Sequence, residues 1–191
     1  MSEKYNSIFM QESLNLANIA FKNDEVPVGA VVVLNNKIIG KGHNQVRKHN
    51  SVTSHAEINA INDASNTLGN YRLNECQIYV SLEPCHMCAK AIIDARVHSL
   101  FFGALEPKTG AVQSIDRFLD RKDLNHSVKY SGGHMAERST KLLKNFFSFS
   151  VPNCKNTCII YIRTLQGVKH ISKYINSSLG QSSNITTPHI T

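Results

Sequence analysis

Two short motifs carry the side chains best suited to chemistry. His55-Ala56-Glu57 stands where a predicted helix begins, and Pro84-Cys85-His86-Met87-Cys88 stands at a predicted turn from strand to helix. One imidazole and two thiolates form a three-ligand set for zinc, and the fourth tetrahedral position stays open to water, as in catalytic sites. A structural zinc would need a fourth protein ligand; Cys76 is present, but it precedes the Gln77–Leu82 strand, at the wrong end for the site. Cys85 and Cys88, at i and i+3 of a helical first turn, bring their sulfurs to one side. His55 and Glu57 would diverge by about 200° in mid-helix but can both point past a helix N-terminus. Glu57 is then the group to carry protons. Each motif has a plainer reading alone: Ser54-His55-Ala56-Glu57 matches a capping box, and Cys85 with Cys88 matches a redox dithiol.

The elements that must position these residues follow from periodicity. Met10, Leu14, Ala17 and Phe21 share a helical face, and Asp24-Glu25-Val26-Pro27 ends that helix. Val28–Leu34 and Lys37–Gly42 read as a hairpin around Asn35-Asn36, residues that tolerate positive φ. A polar loop covers Gly42–Thr53. A helix follows over Ser54–Thr67, with Ile58, Ile61 and Leu68 apolar and Ala56, Ala60 and Ala64 between. Then come a strand at Gln77–Leu82, a helix at Cys85–Ala95, a strand at Val97–Phe102, a short helical stretch near Ser114–Leu119 and a strand near Val128–Tyr130. In the last helix Ala136, Thr140, Leu143 and Phe147 share a face. Alternating strands and helices after one hairpin predict a three-layer α/β/α domain on a mixed sheet of about five strands.

Composition sets the outer limits. Of 191 residues, 41% are hydrophobic and 18% charged, which fits a globular chain. No apolar run approaches the ~20 residues of a membrane span, and Met1–Asn6 shows no secretory pattern, so a cytoplasmic protein is expected. Five cysteines are an odd number for a disulfide framework. The net charge of +7 suits a polyanionic partner. Lys155, Arg163, Lys169 and Lys173 supply four of those charges with no acid after Ser150, leaving 7 − 4 = +3 on residues 1–150. Residues 1–150 therefore read as the catalytic domain and 151–191, rich in Asn, Ser and Thr, as a flexible tail without its own core. Cys154 and Cys158 have no histidine pattern beside them to suggest a second metal.

His-x-Glu followed by Pro-Cys-x-x-Cys is the zinc-deaminase signature. Beyond it, the chain resembles the bacterial tRNA-specific adenosine deaminases of the cytidine/deoxycytidylate deaminase superfamily over roughly Ser7–Phe147. The matching segments are Glu25-Val26-Pro27-Val28-Gly29-Ala30, Gly42-His43-Asn44, Asn70-Tyr71-Arg72-Leu73, Leu82-Glu83-Pro84-Cys85, Phe102-Gly103-Ala104, Pro107-Lys108-Thr109-Gly110-Ala111, Asn125-His126 and Phe146-Phe147. The resemblance implies a cytidine-deaminase-like fold, one Zn²⁺ per subunit held by His55, Cys85 and Cys88, and Glu57 as the proton carrier. It implies that the substrate is adenosine-34 of a tRNA anticodon stem-loop, an arginine tRNA, gathered by a homodimer. Asn44 would bond the base or its ribose, Val28 would line the base pocket, the Ala56 N–H would meet the base edge, and Glu106 and Lys108 would touch anticodon nucleotides. The zinc motifs are shared with guanine, cytosine and dCMP deaminases, which form the alternative reading; a non-catalytic zinc or redox module is a third. The chain departs from the family where a basic helical extension follows the paired phenylalanines: here Ser148-Phe149-Ser150-Val151-Pro152 stands instead, and Pro152 breaks a helix.

Overall fold

The computed structural model describes residues 5–150 and the strands Cys158–Thr164 and Gly167–Tyr174. The first helix, α1 (Ser7–Lys22), starts at Asn6, whose side chain accepts the Ile8 amide, a cap that satisfies an otherwise orphaned donor. Strands β1 (Gly29–Leu34) and β2 (Lys37–His43) form the expected hairpin, with Asn35 and Asn36 at φ 49° and 59°. A four-residue helix α2 (Val46–His49) interrupts the stretch expected to be loop. After it come α3 (Ala56–Leu68), β3 (Gln77–Leu82), α4 (His86–Asp94), β4 (Ser99–Ala104), β5 (Lys129–Ser131) and α5 (Ala136–Ser150).

These strands make one mixed sheet in the order β2-β1-β3-β4-β5. β1 is antiparallel to both neighbours, while β3, β4 and β5 run parallel. Alternation along the strands splits the core in two, because successive side chains point to opposite faces. On one face Ala30, Val32, Ile78, Val80, Leu100 and Phe102 pack with the alanines of α3 and with Ala89, Ile92 and Ile93 of α4. On the other, Val31, Val33, Tyr79 and Phe101 pack with Phe9, Met10 and Leu16 of α1. That is the three-layer α/β/α arrangement on five strands that the sequence led us to expect.

One local expectation changes. The helix expected near Ser114–Leu119 shrinks to a 3₁₀ turn at Phe118–Asp120, because the amides of Val112, Gln113 and Ser114 bond a side chain, Glu83, instead of helical carbonyls. The face of α3 that packs inward is the alanine face with Ile61; Ile58 is only half-buried and Leu68 is exposed. The chain separates into two compact units between Phe147 and Ser148. In the second, Cys158–Thr164 (β6) and Gly167–Tyr174 (β7) pair antiparallel where no regular element was expected. The β-branched and aromatic run Ile159-Ile160-Tyr161-Ile162 has high strand propensity. Pro152 and Cys154 lie outside the described residues. Among the described residues no helix is long and apolar enough to cross a membrane.

Candidate metal centre and active site

Two helix N-termini converge beside the carboxyl end of β3. His55 is the N-cap of α3 and Cys85 the N-cap of α4, both in extended backbone, and neither side chain caps its own helix. Both are therefore free to point past the helix ends. Cys88, in the first turn of α4, is fully buried beneath them. The His55 Nδ1 lies 3.5 Å from Cys88 Sγ and 3.8 Å from Cys85 Sγ, and all three ligand atoms fall within 4.8 Å of one another. Usual Zn–N and Zn–S bond lengths give tetrahedron edges of about 3.5–3.8 Å, so the spacing fits zinc. Cys76 is buried, a free thiol outside this group.

The electrostatics suit the same role. Hydrogen bonding from Cys88 and the neighbouring His55 push the Cys85 thiol down to about 4 despite burial. The Cys88 thiol moves up, because it holds the proton shared with Cys85 and is buried. The Cys85 bond lifts the His55 imidazole above its ordinary value. Glu57 is 4% exposed, and burial raises its carboxyl to about 7. An acid balanced near neutrality is what proton transfer in both directions requires. A cavity of about 350 Å³ opens onto His55, Glu57 and Cys85. That is the lower end of the size range for small-molecule sites and adequate for one base.

Val28, Asn44 and Glu106 also line this cavity; Ala56 and Lys108 do not. The Ala56 amide instead donates to Asn44 Oδ1 at 2.9 Å, so Asn44 caps α3 from outside the helix. This replaces the capping box: Ser54 is not the N-cap, and its hydroxyl lies 3.3 Å from the His49 ring. Lys108 is exposed, and its amide bonds the Glu106 carboxylate. Sequence reasoning missed Glu25, Arg47, Leu82, Glu83 and Thr109 in the wall. Glu25 is buried and accepts the Lys48 amide at 2.9 Å. Arg47 is exposed and bonds both the carbonyl and the carboxylate of Asp24. A charged residue wedged between the apolar β3 and Pro84 was the one local signal for Glu83.

A family model of MafB19-like deaminases matches residues 4–149. The tRNA-specific adenosine deaminase of Rickettsia typhi is 44% identical over 140 residues, which is 72% of this chain and 95% of that protein. The chain belongs to this deaminase family. The Aquifex aeolicus enzyme of the same name is 41% identical over 139 residues, covering 73% of this chain and 91% of its own. A solved structure from studies of A-to-I editing by tRNA:A34 deaminases at the wobble position is 42% identical with a TM-score of 0.71, covering 72% of this chain and all of its own. A Bacillus subtilis guanine deaminase is more distant at 29% identity and TM-score 0.52, over 80% of this chain and 99% of its own. Family membership makes this chain a deaminase, and His55, Cys85 and Cys88 are positioned so that they could hold a metal ion.

Proposed function

We propose that this chain converts adenosine-34 of a tRNA anticodon loop, in an arginine tRNA, to inosine, and that it does so in the cytoplasm as a homodimer with one zinc per subunit. The carrying observation is that His55, Cys85 and the near-neutral Glu57 line one base-sized cavity, with Cys88 buried beside them to complete the ligand triangle. Relatives at 37–46% identity bear the name of tRNA-specific adenosine deaminases. A zinc ion held by His55, Cys85 and Cys88 would supply Lewis acidity that lowers the pKa of a water to about 7 and so makes hydroxide available at neutral pH.

The protein's own groups do the rest. Glu57 takes the proton of the attacking water and returns it to the purine N1. It then helps the 6-amino group leave as ammonia, so that adenosine and water become inosine and ammonia. Val28 packs against the base, and Asn44, already on the cavity wall, reaches the base or ribose. The Ala56 amide meets the base edge only when Asn44 releases it. Glu106 and Lys108 border the flanking nucleotides on the loop after β4.

The test is inosine formation in an arginine anticodon stem-loop by wild type and Glu57→Ala, with bound zinc measured in both. Wild type should convert the wobble adenosine, and the variant should lose about 10²- to 10⁴-fold in rate with its zinc intact. Turnover of guanine, cytosine or dCMP instead would replace the substrate assignment. An active-site role for Glu57 is rejected if the variant matches wild type.

A further inference from the structure

Part of the cavity wall comes from the segment that leaves β4, through Glu106 and Thr109. This segment folds back over the end of β3. Glu83 donates its amide to the Ala104 carbonyl at 2.8 Å, the Ala111 amide reaches the Pro84 carbonyl at 2.9 Å, and Gly110 pairs with Cys85. Between these backbone bonds sits the Glu83 side chain, only 3% exposed. Its Oε1 accepts the amides of Val112, Gln113 and Ser114 at 3.1, 2.6 and 2.8 Å. Its Oε2 accepts the Glu106 amide at 3.0 Å and the Ser114 hydroxyl. One buried carboxylate thus ties the entry of the loop, at Glu106, to its exit, at 112–114. Gly110 closes one side of the carboxylate: a Cβ there would collide with the Glu83 carboxylate and the Glu106 carbonyl.

We infer that Glu83 is a positioning residue for substrate binding: its carboxylate clamps both ends of the 106–114 loop and so fixes the wall against which the substrate docks. The inference rests on the deaminase reading of the cavity. It depends on the side chain being an acceptor at both oxygens, because a backbone amide, which can only donate, reaches each of them. Glutamine keeps the shape but must turn an NH₂ towards one set of donors. If its oxygen stays with the three amides at 112–114, the Glu106 amide is left facing another donor. Aspartate is one methylene shorter and cannot span both ends. In either case the loop detaches at the Glu106 side, and the wall becomes mobile while the metal ligands stay in place.

The experiment compares wild type, Glu83→Gln and Ser114→Ala as zinc-loaded full-length chains, on the adenosine-34 stem-loop and by amide hydrogen exchange. Glu83→Gln should raise KM about tenfold or more and change kcat less than about threefold, the pattern of weakened substrate binding with the chemical step intact. Exchange should accelerate at the Glu106 amide with zinc content unchanged. Ser114→Ala, which removes one donor and leaves the carboxylate in place, should raise KM by about threefold. Loss of zinc, or a fall in kcat with KM unchanged, would overturn the inference in favour of support for Cys85. Unaltered exchange in Glu83→Gln would overturn the clamp itself. If wild type leaves the stem-loop untouched, the adenosine reading fails, and the exchange comparison still decides the clamp.

Discussion

At the scale of single residues, burial decides which ionisable groups act and which stay silent. Cys76 and Cys85 are both free thiols, yet their surroundings drive them in opposite directions. Cys85 has a bonded partner and a histidine beside it, and its thiolate is favoured. Burial, and then the charge of Glu75, push the Cys76 thiol from 9.0 up to about 11. The folded state keeps that proton where the unfolded chain sheds it. Stability from this group is therefore complete below about pH 9 and falls as pH rises towards 11, by about 3 kcal/mol over the window. Denaturation midpoints measured from pH 8 to 11 should drop more steeply in wild type than in Cys76→Ala. Parallel profiles would show that Cys76 does not titrate late. The distinction between the two thiols was partly legible: the Cys-x-x-Cys spacing singled out Cys85 and Cys88, and the place of Cys76 before β3 set it apart. That Glu57 balances near neutrality was not legible, because no spacing in the sequence reports how completely a side chain is buried.

At the scale of elements, the helix carrying His55 and Glu57 lies against the sheet at very short range. A Cβ on Gly42 would meet the Ala56 carbonyl and the Ala60 amide, and one on Gly40 would meet Ala60 and Ala64. Glycine on β2 and alanine on α3 let the two backbones touch, and this closeness sets the height of the N-terminus of α3, where the candidate ligand His55 stands. Gly42→Ala should therefore destabilise the fold by about 1–3 kcal/mol, as overpacking does, and should also weaken zinc binding, measured by competition with a chelator. Gly40→Ala, one turn further along α3, should cost similar stability with less effect on zinc. Equal zinc affinity in the two variants would show that the contact is purely structural. Periodicity placed α3 correctly but did not say which of its apolar residues face inward. Alanine contributes little to a hydrophobic pattern, yet it is the residue that fits opposite glycine.

At the scale of the whole molecule, two compact units share one chain, and among the described residues the metal-site chemistry lies in the first. The second holds four basic residues and no acid. A chain ending at Ser150 should keep its zinc and its kcat on the stem-loop. Its KM should depend less on salt, because the slope of log affinity against log salt falls by about 0.7–0.9 for each phosphate that is no longer neutralised. KM measured between 50 and 200 mM KCl checks this. An unchanged slope would show that the tail charges do not meet the RNA. The charge asymmetry is plain in the sequence, while the antiparallel pair β6–β7 escaped it because Ile159-Ile160-Tyr161-Ile162 does not alternate apolar with polar residues.

By itself the sequence determined the hairpin at Asn35-Asn36 and the alternation that makes a three-layer α/β/α domain, and it singled out the candidate ligand types and the candidate proton carrier. Each of these is local: a residue's chemistry, the φ of a turn, or the period of a strand or helix. Tertiary structure decided how distant segments meet. It brought the N-termini of α3 and α4 together, let Asn44 rather than Ser54 cap α3, and closed the 106–114 loop on Glu83. Those pairings span 12 to 33 residues of chain. They exist because a buried donor or acceptor must find a partner wherever the packed core places one, and no spacing along the chain reports where that will be.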